Sequence, residues 1–90
     1  MSSDATWHLY LIECEGGSLY AGISTDVARR YAEHVAGTGA RYTRMHKPLR
    51  LVGARPCGSR SDALKAELAL KKLPKQQKCN ALLNPPPATP

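Results

Sequence analysis

This chain has few cysteines. Cys14, Cys57 and Cys79 lie far apart, form no C-x-x-C pair and have no histidine at zinc-ligand spacing. The pattern excludes a disulfide framework and points to reduced thiols in a cytoplasmic protein. The three histidines lack supporting carboxylates, which argues against a multi-histidine metal centre. No run approaches the ~20 apolar residues of a membrane-spanning helix. The polar start MSSDAT does not resemble a signal peptide, so the expectation is a soluble protein with no membrane partner. There is no internal repeat. Acidic residues are also scarce past position 34. Residues 35–90 hold 11 Lys and Arg against Asp62 and Glu67 alone, whereas residues 1–34 hold five acids against Arg29 and Arg30. The net charge of +6 is therefore carried by the second part of the chain. A one-sided basic field attracts polyanions and releases their counterions, although the same charge also serves plain solubility.

Ninety residues make one small domain, which buries only about 60–65% of the surface it exposes when unfolded. Residues 7–14, WHLYLIEC, are rich in aromatic and β-branched types and predict a strand. Gly16-Gly17-Ser18 is turn chemistry, and LYAGI (19–23) predicts the returning strand of a hairpin. A three-residue loop would set Cys14 opposite Tyr20 and place Tyr20 on one face with Tyr10, Ile12 and Cys14; a two-residue loop would separate the tyrosines. Ser24, Thr25 and Asp26 offer helix caps, and the helix runs to Ala36 with Gly37 as its stop. Val27, Tyr31 and Val35 recur at four-residue steps as its expected buried stripe, with Arg30 and His34 beside it. Residues 37–47, GTGARYTRMHK, have no clean period and are read as a basic loop. Leu49 to Arg55 predicts a third strand, with Gly53 a bulge candidate and Pro56 its end. Ser59-x-x-Asp62 opens a helix that continues to Pro74, and Lys75 to Leu83 predicts a last short one. The fold class is thus α+β, a small three-stranded antiparallel sheet covered by helices in the order β-β-α-β-α-α. The domain is expected over residues 7–83. Residues 1–6 are expected as a flexible start, and the Pro-rich 84–90, NPPPATP, as a disordered tail.

Glu67 falls in the apolar arc of its helix among Ala63, Leu64 and Leu70, where a carboxylate loses hydration and needs a cation or hydrogen bonds. Lys71 at i+4 would equally make it an ordinary surface pair. Arg30 and His34 stand one turn apart on their helix. Arginine presents a fork that matches phosphate oxygens, and histidine moves a proton near neutral pH. Taken singly, each of these residues has a structural explanation.

Taken together they form a pattern. The run LYLIECEGGSLYAGISTDVARRYAEH resembles the GIY-YIG nuclease signature: a strand with a central Tyr, a short hairpin, a Tyr-x-Gly strand, a cap, then Arg and His four apart. The later ALKAELALKKL resembles the family's helix that carries a metal-binding glutamate. The resemblance spans residues 7–83 and is closest in kind to the small bacterial stand-alone branch. There are departures: His8-Leu9-Tyr10 replaces Gly-Ile-Tyr, Tyr20-Ala21-Gly22 replaces Tyr-Ile-Gly, and Ile23 stands where some relatives carry lysine.

The resemblance implies a metal-dependent DNA endonuclease, structure-selective in DNA repair or processing. It carries Tyr10, Tyr20, Arg30 and His34 over as catalytic residues and Glu67 as the ligand of one Mg²⁺ or Mn²⁺ ion. Gly22 becomes the small residue that lets a phosphate approach the sheet, and Asn80 a weaker candidate for a supporting polar group. Arg29, Arg41, Arg44 and Lys47 would contact DNA without reading its sequence, and selectivity would come from a protein partner. Two other readings remain open: a nucleic-acid-binding module with a degenerate site, and a basic protein-interaction adaptor.

Overall fold

The computed structural model describes residues 5–83, so the expectations for most of the N-terminal segment and for the Pro-rich tail lie outside the described residues. The first strand, β1 (Trp7–Cys14), returns through a single 3-10 turn into β2 (Leu19–Ser24). Helices α1 (Val27–Ala36) and α2 (Arg41–Met45) precede the long strand β3 (Pro48–Gly58), and α3 (Arg60–Lys71) and α4 (Lys75–Leu83) follow. The sheet is antiparallel with strand order β2-β1-β3, so the hairpin's first strand is central. The α+β architecture agrees with the sequence reading, with one helix more than expected.

Three local departures have physical causes. The hairpin has a three-residue loop, but it is Glu15-Gly16-Gly17, one residue earlier than the expected Gly16-Gly17-Ser18. Glu13 pairs with Leu19 and Ile12 with Tyr20, while the Cys14 amide donates to the Ser18 carbonyl at 2.8 Å. Gly16 and Gly17, at φ 82° and 81°, supply the left-handed backbone that this turn requires. The slip is two residues, an even number, so Tyr10, Ile12, Cys14 and Tyr20 still share one face as expected. β3 runs past Pro56, which pairs with His8. A proline is tolerated there because β3 is an edge strand and its register slips at that point. A second slip, between Leu11 and Ile12, leaves Val52 without a partner beside Gly53, where a bulge was expected.

The third departure is α2, within the stretch read as a loop. Its cap residue Ala40 offers no side chain, so the segment carries no local start marker. Tertiary contacts hold it instead. The Tyr42 ring stacks on Tyr20 with centroids 5.6 Å apart and planes at 21°.

The sheet has a core on each face, because β1 side chains alternate. Leu9 and Leu11 pack with Ala21, Leu70 and Leu82 under α3 and α4. Tyr10, Ile12 and Cys14 pack with Tyr20, Val27, Tyr31, Tyr42 and Leu51 on the side of α1 and α2. Helix α1 is capped by Asp26, whose carboxylate accepts the Arg29 amide at 3.1 Å, and ends at Gly37 with φ 82°. The expected stripe on α1 is only partly right. Val27 and Tyr31 face the sheet, but Val35 is 52% exposed and His34 is buried in its place. A histidine can take that position because Tyr10 on the sheet and Thr43 on α2 each partner one of its ring nitrogens.

Candidate active site

Tyr10 stands at the middle of the central strand and is 1% exposed. Its partner across the hairpin is Gly22. A Cβ at Gly22 would overlap the Tyr10 hydroxyl and come within 2.6 Å of Cζ, so the absent side chain is what allows the phenol to lie across β2. The Tyr10 hydroxyl fills the space beside Gly22 that the family resemblance assigns to an approaching phosphate.

From α1, His34 places Nε2 2.9 Å from that hydroxyl. The Tyr20 ring meets the imidazole edge-on at 5.3 Å and lies 6.5 Å from the Tyr10 ring. Arg30 stands one turn before His34, with its Nη1 donating to Glu33 Oε1 at 2.9 Å. Its guanidinium also interacts with the Tyr10 hydroxyl, and both contacts hold Arg30 above its ordinary pKa, the Glu33 one more strongly. Glu67, on α3, acts on the same hydroxyl at longer range through its negative charge. Tyr10, Tyr20, His34, Arg30 and Gly22 thus share one location, and Glu67 is close enough for its charge to be felt there.

The electrostatics follow from burial. Burial, reinforced by Tyr20, pushes the Tyr10 pKa up to about 12, although Arg30 acts in the opposite direction. Burial and the neighbouring Arg30 cation lower the His34 pKa, with Glu33 partly opposing them. A neutral imidazole therefore faces a neutral phenol at physiological pH. That pairing can pass a proton in either direction without placing a full charge inside the core beforehand.

Glu67 pairs with Lys71, Oε2 to Nζ at 3.1 Å, as the i,i+4 spacing suggested. The pair is asymmetric. The Glu67 side chain is 16% exposed while Lys71 is half exposed, so the carboxylate is the shielded member. Among the described residues no group of three or more His, Cys, Asp or Glu could hold a metal. A lone shielded carboxylate suits Mg²⁺, which keeps several waters and takes one or two protein carboxylates.

The other candidates lie further out. Arg29 is exposed on α1 and 3.6 Å from Glu33; with Arg30, Ser24 and Thr25 it borders a small cavity of about 190 Å³. Arg41 and Arg44 are exposed on α2, and Lys47 follows it. Arg44 and Lys47 border a cavity of about 440 Å³ on the Thr43 side of His34, away from the Tyr10 hydroxyl. Asn80 is exposed on α4, the helix that packs on the Leu9 and Leu11 face.

Four residues of the site escaped the sequence reading. Glu33 orients Arg30. Thr43 is buried, with Oγ1 2.7 Å from His34 Nδ1. Gly39 lies so close to the imidazole that a Cβ there would overlap Nδ1, and Ala40 sends its amide toward the same nitrogen at 3.3 Å. The only trace of these in the sequence is the pair of glycines in GTGARYT, which read as loop composition.

Comparison with known proteins bears on the family of the chain. The family pattern of the GIY-YIG catalytic domain matches residues 6–80. A UPF0213 protein of Cupriavidus pinatubonensis is 59% identical over 78 residues, covering 87% of each chain. One of Xanthomonas axonopodis pv. citri is 50% identical over 72 residues, covering 80% of this chain and 71% of its own. Among solved structures, a protein from E. faecalis determined by solution NMR aligns with a TM-score of 0.58 at 37% identity, over 89% of this chain and 85% of that one. The NMR structure of a UPF0213 protein from Bacillus halodurans aligns at 0.50 and 40% identity, over 81% and 78%. The chain belongs to the GIY-YIG family, a family generally of endonucleases, and its relatives are the small UPF0213 proteins.

Proposed function

We propose that this protein is a metal-dependent DNA endonuclease that hydrolyses phosphodiester bonds, with Tyr10, Tyr20, His34, Arg30 and Glu67 as its site. The observation that carries the reading is the convergence on one buried hydroxyl. Tyr10 meets a neutral imidazole at 2.9 Å, and the charges of Arg30 and Glu67, from two different helices, act on its hydroxyl in opposite directions.

A water oxygen attacks phosphorus while its proton passes to the Tyr10 oxygen and the Tyr10 proton passes to His34 Nε2. The P–O bond to the leaving sugar oxygen breaks, and that oxygen takes a proton from solvent. With a pKa of about 12 the Tyr10 hydroxyl stays protonated near neutral pH, so it can take the water proton only as its own passes to His34. Arg30 neutralises charge that builds on the phosphate, and Tyr20 positions the water. Glu67 would hold a single Mg²⁺ or Mn²⁺, which supplies polarisation of the phosphate when bound. The exposed cations Arg29, Arg41, Arg44 and Lys47 bind the DNA backbone without base reading.

A second reading is a nucleic-acid-binding module without catalysis. It is favoured by the fact that both key charges already have internal partners, Arg30 with Glu33 and Glu67 with Lys71. The two readings are separated by incubating the purified protein with branched, flapped, single-stranded and duplex DNA in Mg²⁺, Mn²⁺ or EDTA. Cleavage that needs the metal and falls by about 10² or more in Glu67→Gln and Arg30→Ala, with DNA affinity largely retained, supports the nuclease. Binding without cleavage on every substrate supports the module.

A further inference from the structure

We infer that Thr43 is the positioning residue of the site. It selects the His34 tautomer that accepts the Tyr10 hydroxyl, and the inference rests on the nuclease reading for its catalytic consequence. Three short contacts run head to tail through buried groups. The Tyr10 hydroxyl lies 2.9 Å from His34 Nε2, His34 Nδ1 lies 2.7 Å from Thr43 Oγ1, and Thr43 Oγ1 lies 2.9 Å from the Ala40 carbonyl. Thr43 has one hydroxyl proton. If that proton goes to the Ala40 carbonyl, Oγ1 accepts from Nδ1–H, Nε2 keeps its lone pair, and Tyr10 donates to it.

The opposite tautomer fits less well. With the proton on Nε2, Tyr10 would accept and its own proton would have no acceptor among the described partners, since Arg30 only donates. Thr43 would turn its proton to Nδ1, leaving two acceptor oxygens facing each other at 2.9 Å. The first arrangement gives up one hydrogen bond, the one that the Ala40 N–H donates to Nδ1, which at 3.3 Å is the longest of the set. The hydrogen bond on one ring nitrogen thereby decides the state of the other.

The surroundings hold this arrangement in place. Gly39 backs directly onto the ring, so the imidazole cannot tilt away from Thr43. Thr43 is on α2, whose Tyr42 is stacked on Tyr20, so helix position and histidine orientation are tied to the same sheet face. When His34 receives the Tyr10 proton, the imidazolium sits in the last turn of α1, where the helix dipole favours a cation. The groups facing the ring are Tyr10 from β1, Tyr20 from β2, Arg30 and Glu33 from α1, and Thr43 from α2.

The test uses the full chain labelled with ¹⁵N-histidine. In the metal-free wild type at pH 8, the His34 nitrogen shifts should report Nδ1–H and an unprotonated Nε2. Thr43→Val keeps the shape and removes the hydroxyl; its His34 should move to the Nε2–H tautomer or a mixture. On a cleavable DNA, kcat should fall about tenfold or more with KM within about threefold, and the acid limb of the pH–rate profile should shift. Thr43→Ser should restore both the tautomer and most of the rate. An Nε2–H tautomer in the wild type, or an unchanged tautomer with unchanged kcat in Thr43→Val, overturns the inference. Failure of the wild type to cut any DNA would instead sink the nuclease reading, while the spectrum still decides the role of Thr43.

Discussion

Gly22 and Tyr10 face each other across the central hairpin, and the phenol of one occupies the volume that a side chain on the other would need. Gly22→Ala should therefore push the Tyr10 hydroxyl away from His34 Nε2. Overpacking of this kind typically costs about 1–3 kcal/mol, and cleavage should fall much further than stability because the proton path is broken. Urea unfolding together with a single-turnover assay measures both. A variant with unchanged stability and rate would show that the sheet simply relaxes.

Acid should weaken the fold through His34. Its folded pKa lies below the unfolded value of about 6.5, so the unfolded chain binds the extra proton first. The contribution is complete above pH 6.5 and is lost as pH falls through that value toward the folded one. His34→Gln, which keeps a polar side chain but cannot titrate there, should lose less stability than the wild type between pH 7.5 and pH 5. Equal losses in the two proteins would contradict the burial argument.

Alkali should act through Tyr10. The folded value of about 12 lies above the unfolded value of about 10, so stability is complete below pH 10 and falls as pH rises from 10 to 12. An ultraviolet difference titration of wild type against Tyr10→Phe should show one phenol ionising late. If the difference spectrum titrates near pH 10, the hydroxyl is better solvated than its burial indicates.

Lys71→Ala separates the surface ion pair from the site. Lys71 is half exposed, so losing it should cost under about 1 kcal/mol and leave cleavage in place. Glu67→Gln should be equally mild for stability but abolish metal-dependent cleavage. Parallel behaviour of the two variants in the cleavage assay would reduce Glu67 to a structural partner.

Reversing the charges of Arg41, Arg44 and Lys47 should weaken DNA binding to all sequences alike. If all three touch phosphates, the slope of log K against log salt should drop by up to about 3. Affinity measured by anisotropy between 50 and 200 mM salt tests this, and a slope unchanged by the triple variant would move the DNA elsewhere on the protein.

The strands, three of the four helices and the shared face of Tyr10 and Tyr20 were legible in the sequence, because period, caps and turn residues act over a few neighbouring positions. An even slip in hairpin register left that face intact. Arg30, His34 and Glu67 stood out by residue type and spacing on helices that could be located locally. Tertiary structure decided what such periods cannot. The four-residue step on α1 pointed to Val35, yet His34 is the buried residue, because a polar ring is stable there only with Tyr10 on one nitrogen and Thr43 on the other. Helix α2 has no cap or apolar period of its own and exists through Tyr42 on Tyr20 and Thr43 on His34. Contacts that join residues nine, 22 or 24 positions apart leave no trace in local composition, since each partner alone looks like an ordinary loop or strand residue.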